Sequence, residues 1–542
     1  MRQHERTGRA GKVSRRRFLQ GALGAGAGVA LAPYVGPAVR RVAAAAPADT
    51  LRYAFASEPP SLDPHATGSI WSFRSVLAMC DTLTWQDGKG TVGPGLATQW
   101  TNSRDGRLWT FKLRSGVVFH DGTSFDAAAV KFNLDRIVEL KNAGLGQIAE
   151  YESAEVVDPT TVRVKTRNPY APFLAGLAHG FTGMVSPAAV RKLGAQFAVG
   201  PVGSGPYVFK EWVRQDRLAL VRNGAYAWSP PGLPPSGKAP VPNILIRFIS
   251  EEATRVSALE RDEADVIENV PAQEVGRLQK SGKYRISRVL QTGAPWHINL
   301  NVKKAPTDDL RVRQAIIHAV DQQAIVDTLF FGIGKPAYGP LTRATFGYDP
   351  AVETMYKHDP ARAKRLLEEA GWKMGADGTR EKDGKKLRVI FQVIAAGGYD
   401  STATMVQTQL QAVGIQVDLR LLERARMFSD ANKGEHNLGL KFWLTADPEF
   451  LRLHFRSTNI GNWNWSMYNE PSMDALLDEG ASTLDLTKRA KIYSDIQRRI
   501  MREALLVPLF DAEYVNAQAP RVQGVEYDRR TAIWFHNASV GA

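Results

Sequence analysis

Between residues 359 and 421 the hydrophobic period switches back and forth between the helical 3.6 and the strand value of 2, and this restricts the fold more than any other feature. Asp359 is placed to cap a helix and Pro360 to open it. Ala363, Leu366, Leu367 and Ala370 form one apolar stripe before Gly371 ends it. A strand at 387–393, a helix through 402–413, Gly414 and an alternating strand Ile415, Val417, Leu419, Leu421 follow. Such a succession builds a sheet covered by helices.

The same alternation runs through the rest of the chain. Trp109, Phe111 and Leu113 alternate with polar residues, and Val117 to Phe119 follow Ser115–Gly116, which predicts a two-strand hairpin. A helix at 126–140 capped by Ser124 comes next, with Val130, Leu134 and Ile137 on one face. Leu310 to Val320 runs into a second helix at 322–331, with Asp321 as cap and Gly332 as stop. The proline-rich stretch 229–243 reads as a surface loop.

The chain has 542 residues, of which 44% are hydrophobic and 23% charged, enough for large buried cores and unlike a disordered or multi-span membrane protein. Its one cysteine, Cys80, excludes an internal disulfide and a cysteine-rich metal site. The formal charge of +14 suggests nucleic acid, but residues 1–46 hold nine Lys/Arg against one Glu. That leaves about +6 for the remainder, too dilute for a nucleic-acid surface.

Those first 46 residues read as an address. Ser14-Arg15-Arg16-Arg17-Phe18-Leu19-Gln20 precedes a weakly apolar stretch and the small residues Ala43 to Ala46, the layout of a cleaved export signal with its cut within 43–48. The Arg15–Arg16 pair with Phe18 and Leu19 resembles a twin-arginine signal, with Gln20 where a lysine is common. Seven Gly or Pro between Phe18 and Val39 make it a poor permanent membrane span. The expected mature protein is soluble and periplasmic.

Local signatures of chemistry are absent. The sequence has no G-x-S-x-G elbow, H-E-x-x-H pair, phosphate-binding loop or C-x-x-C, and its ten histidines show no i, i+3 or i+4 pairing. No catalytic residue, metal or cofactor is assigned.

Four segments do carry a resemblance. Leu96-Ala-Thr-Gln-Trp100 leads into Trp109-Thr-Phe-Lys-Leu-Arg114-Ser-Gly116-Val-Val-Phe119-His120-Asp121-Gly122-Thr123, and Gly203-Ser-Gly205-Pro206-Tyr207 follows. Then come Asp309-Leu-Arg311-Val-Arg313-Gln-Ala315 and Asp359-Pro-Ala-Arg-Ala363-Lys-Arg-Leu366-Leu-Glu-Glu-Ala370-Gly371. In order and spacing they resemble the family 5 extracytoplasmic solute-binding proteins of peptide- and nickel-type ABC importers, over nearly the whole mature chain.

The resemblance implies an α/β, two-lobed periplasmic-binding-protein clamp of the large, cluster C type, with mixed sheets. Lobe one would comprise 47–290 plus 508–542, with an extra subdomain at about 75–200, and lobe two 291–507. A ligand would sit between the lobes, and hinge closure would signal to the ABC permease. The partners implied are a small-molecule or peptide ligand, the permease and, for the precursor, the twin-arginine export machinery; the protein would act as a monomer, without nucleic acid. Peptide, opine, sugar and metal-chelate ligands stay open. Rival readings are an exported hydrolase with a dispersed site and a secreted chaperone or peptide sensor on the same fold.

The resemblance also points to ligand residues. In peptide-binding members an acidic residue in a Trp-x-x-Asp context pairs with the ligand's α-amino group. The matching stretch is Trp443-Leu-Thr-Ala-Asp447-Pro448, one residue longer. Asp447 is thus either a cation receptor or a helix cap before Pro448. Glu58, in Ser57-Glu-Pro-Pro-Ser-Leu62-Asp63-Pro64-His65, matches an early family segment that reaches the cleft. Arg456, Trp463, Trp465 and Tyr468 would suit a mixed polar and apolar ligand with a carboxylate end, or else pack a core. Trp296 and Asn299 lie near the first expected crossing between lobes.

Overall fold

The computed structural model describes residues 49–88, 90–231, 238–395 and 398–541, so the expected export leader lies outside the described residues. Two mixed sheets organise the chain. The first has seven strands in the order Arg285–Leu290, Glu513–Gln518, Val266–Ile267, Thr50–Phe55, Asn243–Phe248, Arg217–Arg222 and Tyr207–Val213. Thr50–Phe55 runs parallel to both of its neighbours, and the other pairings are antiparallel.

The second sheet has six strands: Lys335–Pro336, Leu506–Asp511, Gly293–Leu300, Leu438–Leu444, Arg388–Ile394 and Gln416–Leu422. Arg388–Ile394 is parallel to both of its neighbours. The helices Leu310–Ala319, Gln322–Leu329, Pro360–Glu369 and Tyr399–Gln411 join this sheet in one core that includes Ile316, Leu366, Phe391 and Leu440. The chain therefore passes from the first sheet to the second between Leu290 and Gly293, and returns between Asp511 and Glu513. Gly293 takes φ +113° at the outward passage, where a Cβ would collide with the carbonyl oxygen of Trp443.

A separate four-stranded antiparallel sheet, in the order Ala97–Asn102, Leu108–Leu113, Thr161–Thr166 and Tyr151–Asp158, packs on the helix Ala127–Leu140. It has its own core, with Phe111, Val130, Leu134, Val164 and Phe173.

Local chemistry explains most boundaries. Asp359 accepts from the backbone N–H of Arg362, Pro360 opens the helix, and Gly371 takes φ +89° after its end. Asp321 accepts from the Ala324 N–H and caps the helix it was assigned. Two local expectations fail. Leu108–Leu113 does not fold back on Val117–Phe119 but pairs with Ala97–Asn102 and Thr161–Thr166, so its partners come from a distance. The cap of Ala127–Leu140 is Asp126, which accepts from the Ala129 N–H, and not Ser124.

Candidate functional site

The C-terminal ends of the parallel strands Arg388–Ile394 and Leu438–Leu444 open on a cavity of about 950 Å3, the usual place for a ligand in an open α/β sheet. Ile394, Leu444 and Thr445 lie on its wall. Residues of the first sheet's side, including Ile70, Phe73, Arg74, Tyr170, Phe181 and Arg530, face them.

The six-stranded sheet supplies an aromatic surface. Trp296 stacks on Phe442 with ring centroids 5.1 Å apart, and on Phe510 at 5.3 Å. Tyr399, the first residue of its helix, lies 4.5 Å from the Trp296 ring. A second group joins Trp443 edge-on to Trp463 at 4.9 Å, with Phe428 edge-on to Trp463 at 5.2 Å. Rings held by other rings keep their positions, which suits flat or apolar ligand parts.

The charged groups on the wall are mostly paired with residues outside it. Arg489, only 2% exposed, grips Asp447 with both ends of its guanidinium, at 2.7 and 2.6 Å. Asp447 also accepts from the Glu449 backbone N–H at 2.9 Å. Burial and the neighbouring Asp447 push the Glu449 carboxyl up to about 7. Arg74 pairs with Glu268 at 2.6 Å, and Arg530 pairs with Asp528 at 2.6 Å. Glu513 is held by Arg288.

Two cations break this pattern. Arg424, exposed at the start of the helix Arg424–Asn432, has no hydrogen bond or ion pair among the described residues. Lys441 donates to the Trp463 carbonyl at 3.2 Å and lies 4.4 Å over the Trp465 ring, again without a carboxylate partner.

Of the residues singled out from sequence, Trp296, Trp443, Asp447 and Trp463 line the cavity, and five do not. Glu58 accepts from Trp212 and pairs with Arg214, away from the cavity. Arg456 is bound to Asp478. Trp465 is wholly buried and donates its indole N–H to Asn432, while Tyr468 packs in the same core. Asn299, on the strand Gly293–Leu300, is wholly buried. Asp447 is not a cap through the Pro448 helix start alone, since its main partner is Arg489.

The reading of the sequence missed Lys441, Arg424, Arg74, Arg530 and Glu449. For Lys441 a signal existed: it is the one charged residue in the apolar strand Leu438-Gly-Leu-Lys441-Phe-Trp-Leu444. Among the described residues no group of three or more His, Cys, Asp or Glu side chains could hold a metal.

Residues 91–462 match the family model described as bacterial extracellular solute-binding proteins, family 5, middle. The chain belongs to this family. The probable D,D-dipeptide-binding periplasmic protein DdpA of Escherichia coli strain K12 is 29% identical over 499 residues, covering 90% of this chain and 93% of that protein. The glutathione-binding protein GsiB of the same strain is 28% identical over 506 residues, covering 89% and 92%. Among solved structures, NikA from Brucella suis in complex with Fe(III)-EDTA superposes with a TM-score of 0.81 at 29% identity, covering 91% of this chain and 99% of its own. The periplasmic binding protein DppA from Helicobacter pylori, in complex with the peptide STSA, gives 0.74 at 26%, covering 91% and 98%. The fold is therefore the two-lobed α/β fold of periplasmic binding proteins. Among the described residues no helix is long and apolar enough to cross a membrane.

Proposed function

We propose that this chain is the extracytoplasmic receptor of an ABC importer, which holds a peptide or peptide-like solute between two lobes and passes it to the permease unchanged. The observation that carries this reading is the 950 Å3 aromatic cavity, walled from both sheets and large enough for a small peptide with ordered water. The lobes meet where the chain passes between the sheets, near 290–293 and 511–513. The segment 75–200, with the four-stranded sheet, forms the subdomain of lobe one. Closure of the two lobes on the solute gives the permease a shape that the empty protein lacks.

The charged groups of the lining are largely locked in ion pairs, which holds the wall in shape around a solute. The relatives named for a D,D-dipeptide and for glutathione support a peptide-like solute.

Thermal-shift screening of the purified protein against dipeptides, tripeptides, sugars and metal chelates tests this reading. A solute at about 100 times its dissociation constant adds about 2.7 kcal/mol, so peptides are expected to raise the melting temperature. A response to sugars or chelates alone contradicts the solute class. For export we infer a twin-arginine route into the periplasm. Replacing Arg15 and Arg16 by Lys should trap a fused reporter in the cytoplasm, and continued export contradicts the route.

A further inference from the structure

Lys441 lies on the strand Leu438–Leu444, inside the six-stranded sheet, with only 4% of its surface exposed, yet it lines the cavity. Across the strand pair it faces His297, and both side chains emerge on the same face. His454 approaches that face from the helix Phe450–Phe455, and His436 precedes the strand that carries Lys441. Among the described residues these are the titratable groups around the amine, and none is acidic. Burial holds all three histidines neutral, driving His297 down to about 3, His436 to about 4 and His454 well below its ordinary value. Both ring nitrogens of His454 lack a hydrogen-bond partner.

An ammonium at this depth without a counter-ion is costly, and among the described residues the amine has one carbonyl and one indole face as partners. The other buried charges on the wall have opposite partners, and the exposed Arg424 is screened by water. Among the described residues no side chain supplies the counter-charge that an ammonium at Lys441 needs, and the cavity leaves a ligand free to bring it. We propose that Lys441 receives an anionic group of the solute, the carboxylate of a peptide-like molecule, and makes the cavity selective for it. This rests on the solute reading given above.

Burial pushes the Lys441 ammonium well below its ordinary value in the empty cavity. An arriving carboxylate reverses that shift, and the amine draws a proton from solvent to become the ammonium of a new ion pair. Binding should thus take up a proton, and affinity should fall as pH rises between the amine's values in the free and bound states.

The test compares di- and tripeptides as free acids and as C-terminal amides, by calorimetry on the full mature chain in phosphate and in Tris. For the wild type we expect a bound acid to exceed its amide by about tenfold or more, with proton uptake for the acid alone. Lys441→Gln should reduce that preference to about threefold or less and abolish the uptake. Lys441→Met, which suits the apolar neighbours, serves if the Gln variant does not fold. Equal binding of acids and amides by the wild type, or an acid preference that survives the substitution, overturns the assignment to Lys441 alone. Failure of every peptide, acid or amide, overturns the solute reading and this assignment with it.

Discussion

Two buried ionisable groups, one at each sheet, show opposite arrangements. Glu268, beside the seven-stranded sheet, accepts from the Ala56 N–H at 2.7 Å, the Trp71 indole at 2.9 Å, Arg74 at 2.6 Å and the Tyr514 hydroxyl at 2.8 Å. It ties together segments from both ends of the first lobe's chain. Lys441, in the six-stranded sheet, is also buried but meets no opposite charge among the described residues. A satisfied buried charge is explained by the fold; an unsatisfied one at a cavity wall calls for a ligand.

The largest effect should come from Glu268→Ala. It strands the Arg74 guanidinium and leaves Trp71 and Tyr514 without an acceptor, so denaturant unfolding should show a loss of about 3–5 kcal/mol. A loss below about 1 kcal/mol would erase the contrast with Lys441. Asp447→Asn comes next. From sequence it should weaken a cationic ligand and leave the empty protein nearly unchanged, but Arg489 now depends on it for two charged hydrogen bonds. We expect a loss of about 2–3 kcal/mol even without ligand.

Glu449 sharpens the comparison through pH. Its carboxyl is raised from the ordinary 4.5 to about 7, so between those values the folded state holds a proton that the unfolded state has lost. Stability therefore falls as pH rises through that window. Glu449→Gln should be neutral near pH 4 and should raise stability by about 1–3 kcal/mol above pH 7, measured as unfolding midpoints across the range. The smallest effect belongs to Glu58→Gln. With only Trp212 and the half-exposed Arg214 as partners, it should change stability by less than about 0.5 kcal/mol and leave solute affinity unaltered.

The parts of the fold legible in the sequence were those fixed by near neighbours. The Asp359 cap, the Pro360 start and the Ala363, Leu366, Leu367 stripe need only a few residues of context, and they stand as read. The hairpin at 109–119 was misread because strand pairing depends on segments such as Thr161–Thr166, which local periodicity does not reveal. The site divides in the same way. Large aromatics near the ends of strands were visible as candidates, and Trp296, Trp443 and Trp463 reach the cavity. Trp465 has the same local signal but turns into the core, because Asn432 takes its N–H. The Asp447–Arg489 pair and the histidines facing Lys441 are made by tertiary contacts, which no spacing along the chain encodes.

The central claim is that the cavity retains a solute and leaves it chemically intact. Mass spectrometry tests it directly: the purified protein is incubated with a defined peptide mixture, the complex is isolated by gel filtration, and what it carries is released by denaturation. One peptide molecule per chain is expected, recovered at the mass at which it was supplied. Fragments of the supplied peptides, or a protein that emerges carrying none of them, would contradict it.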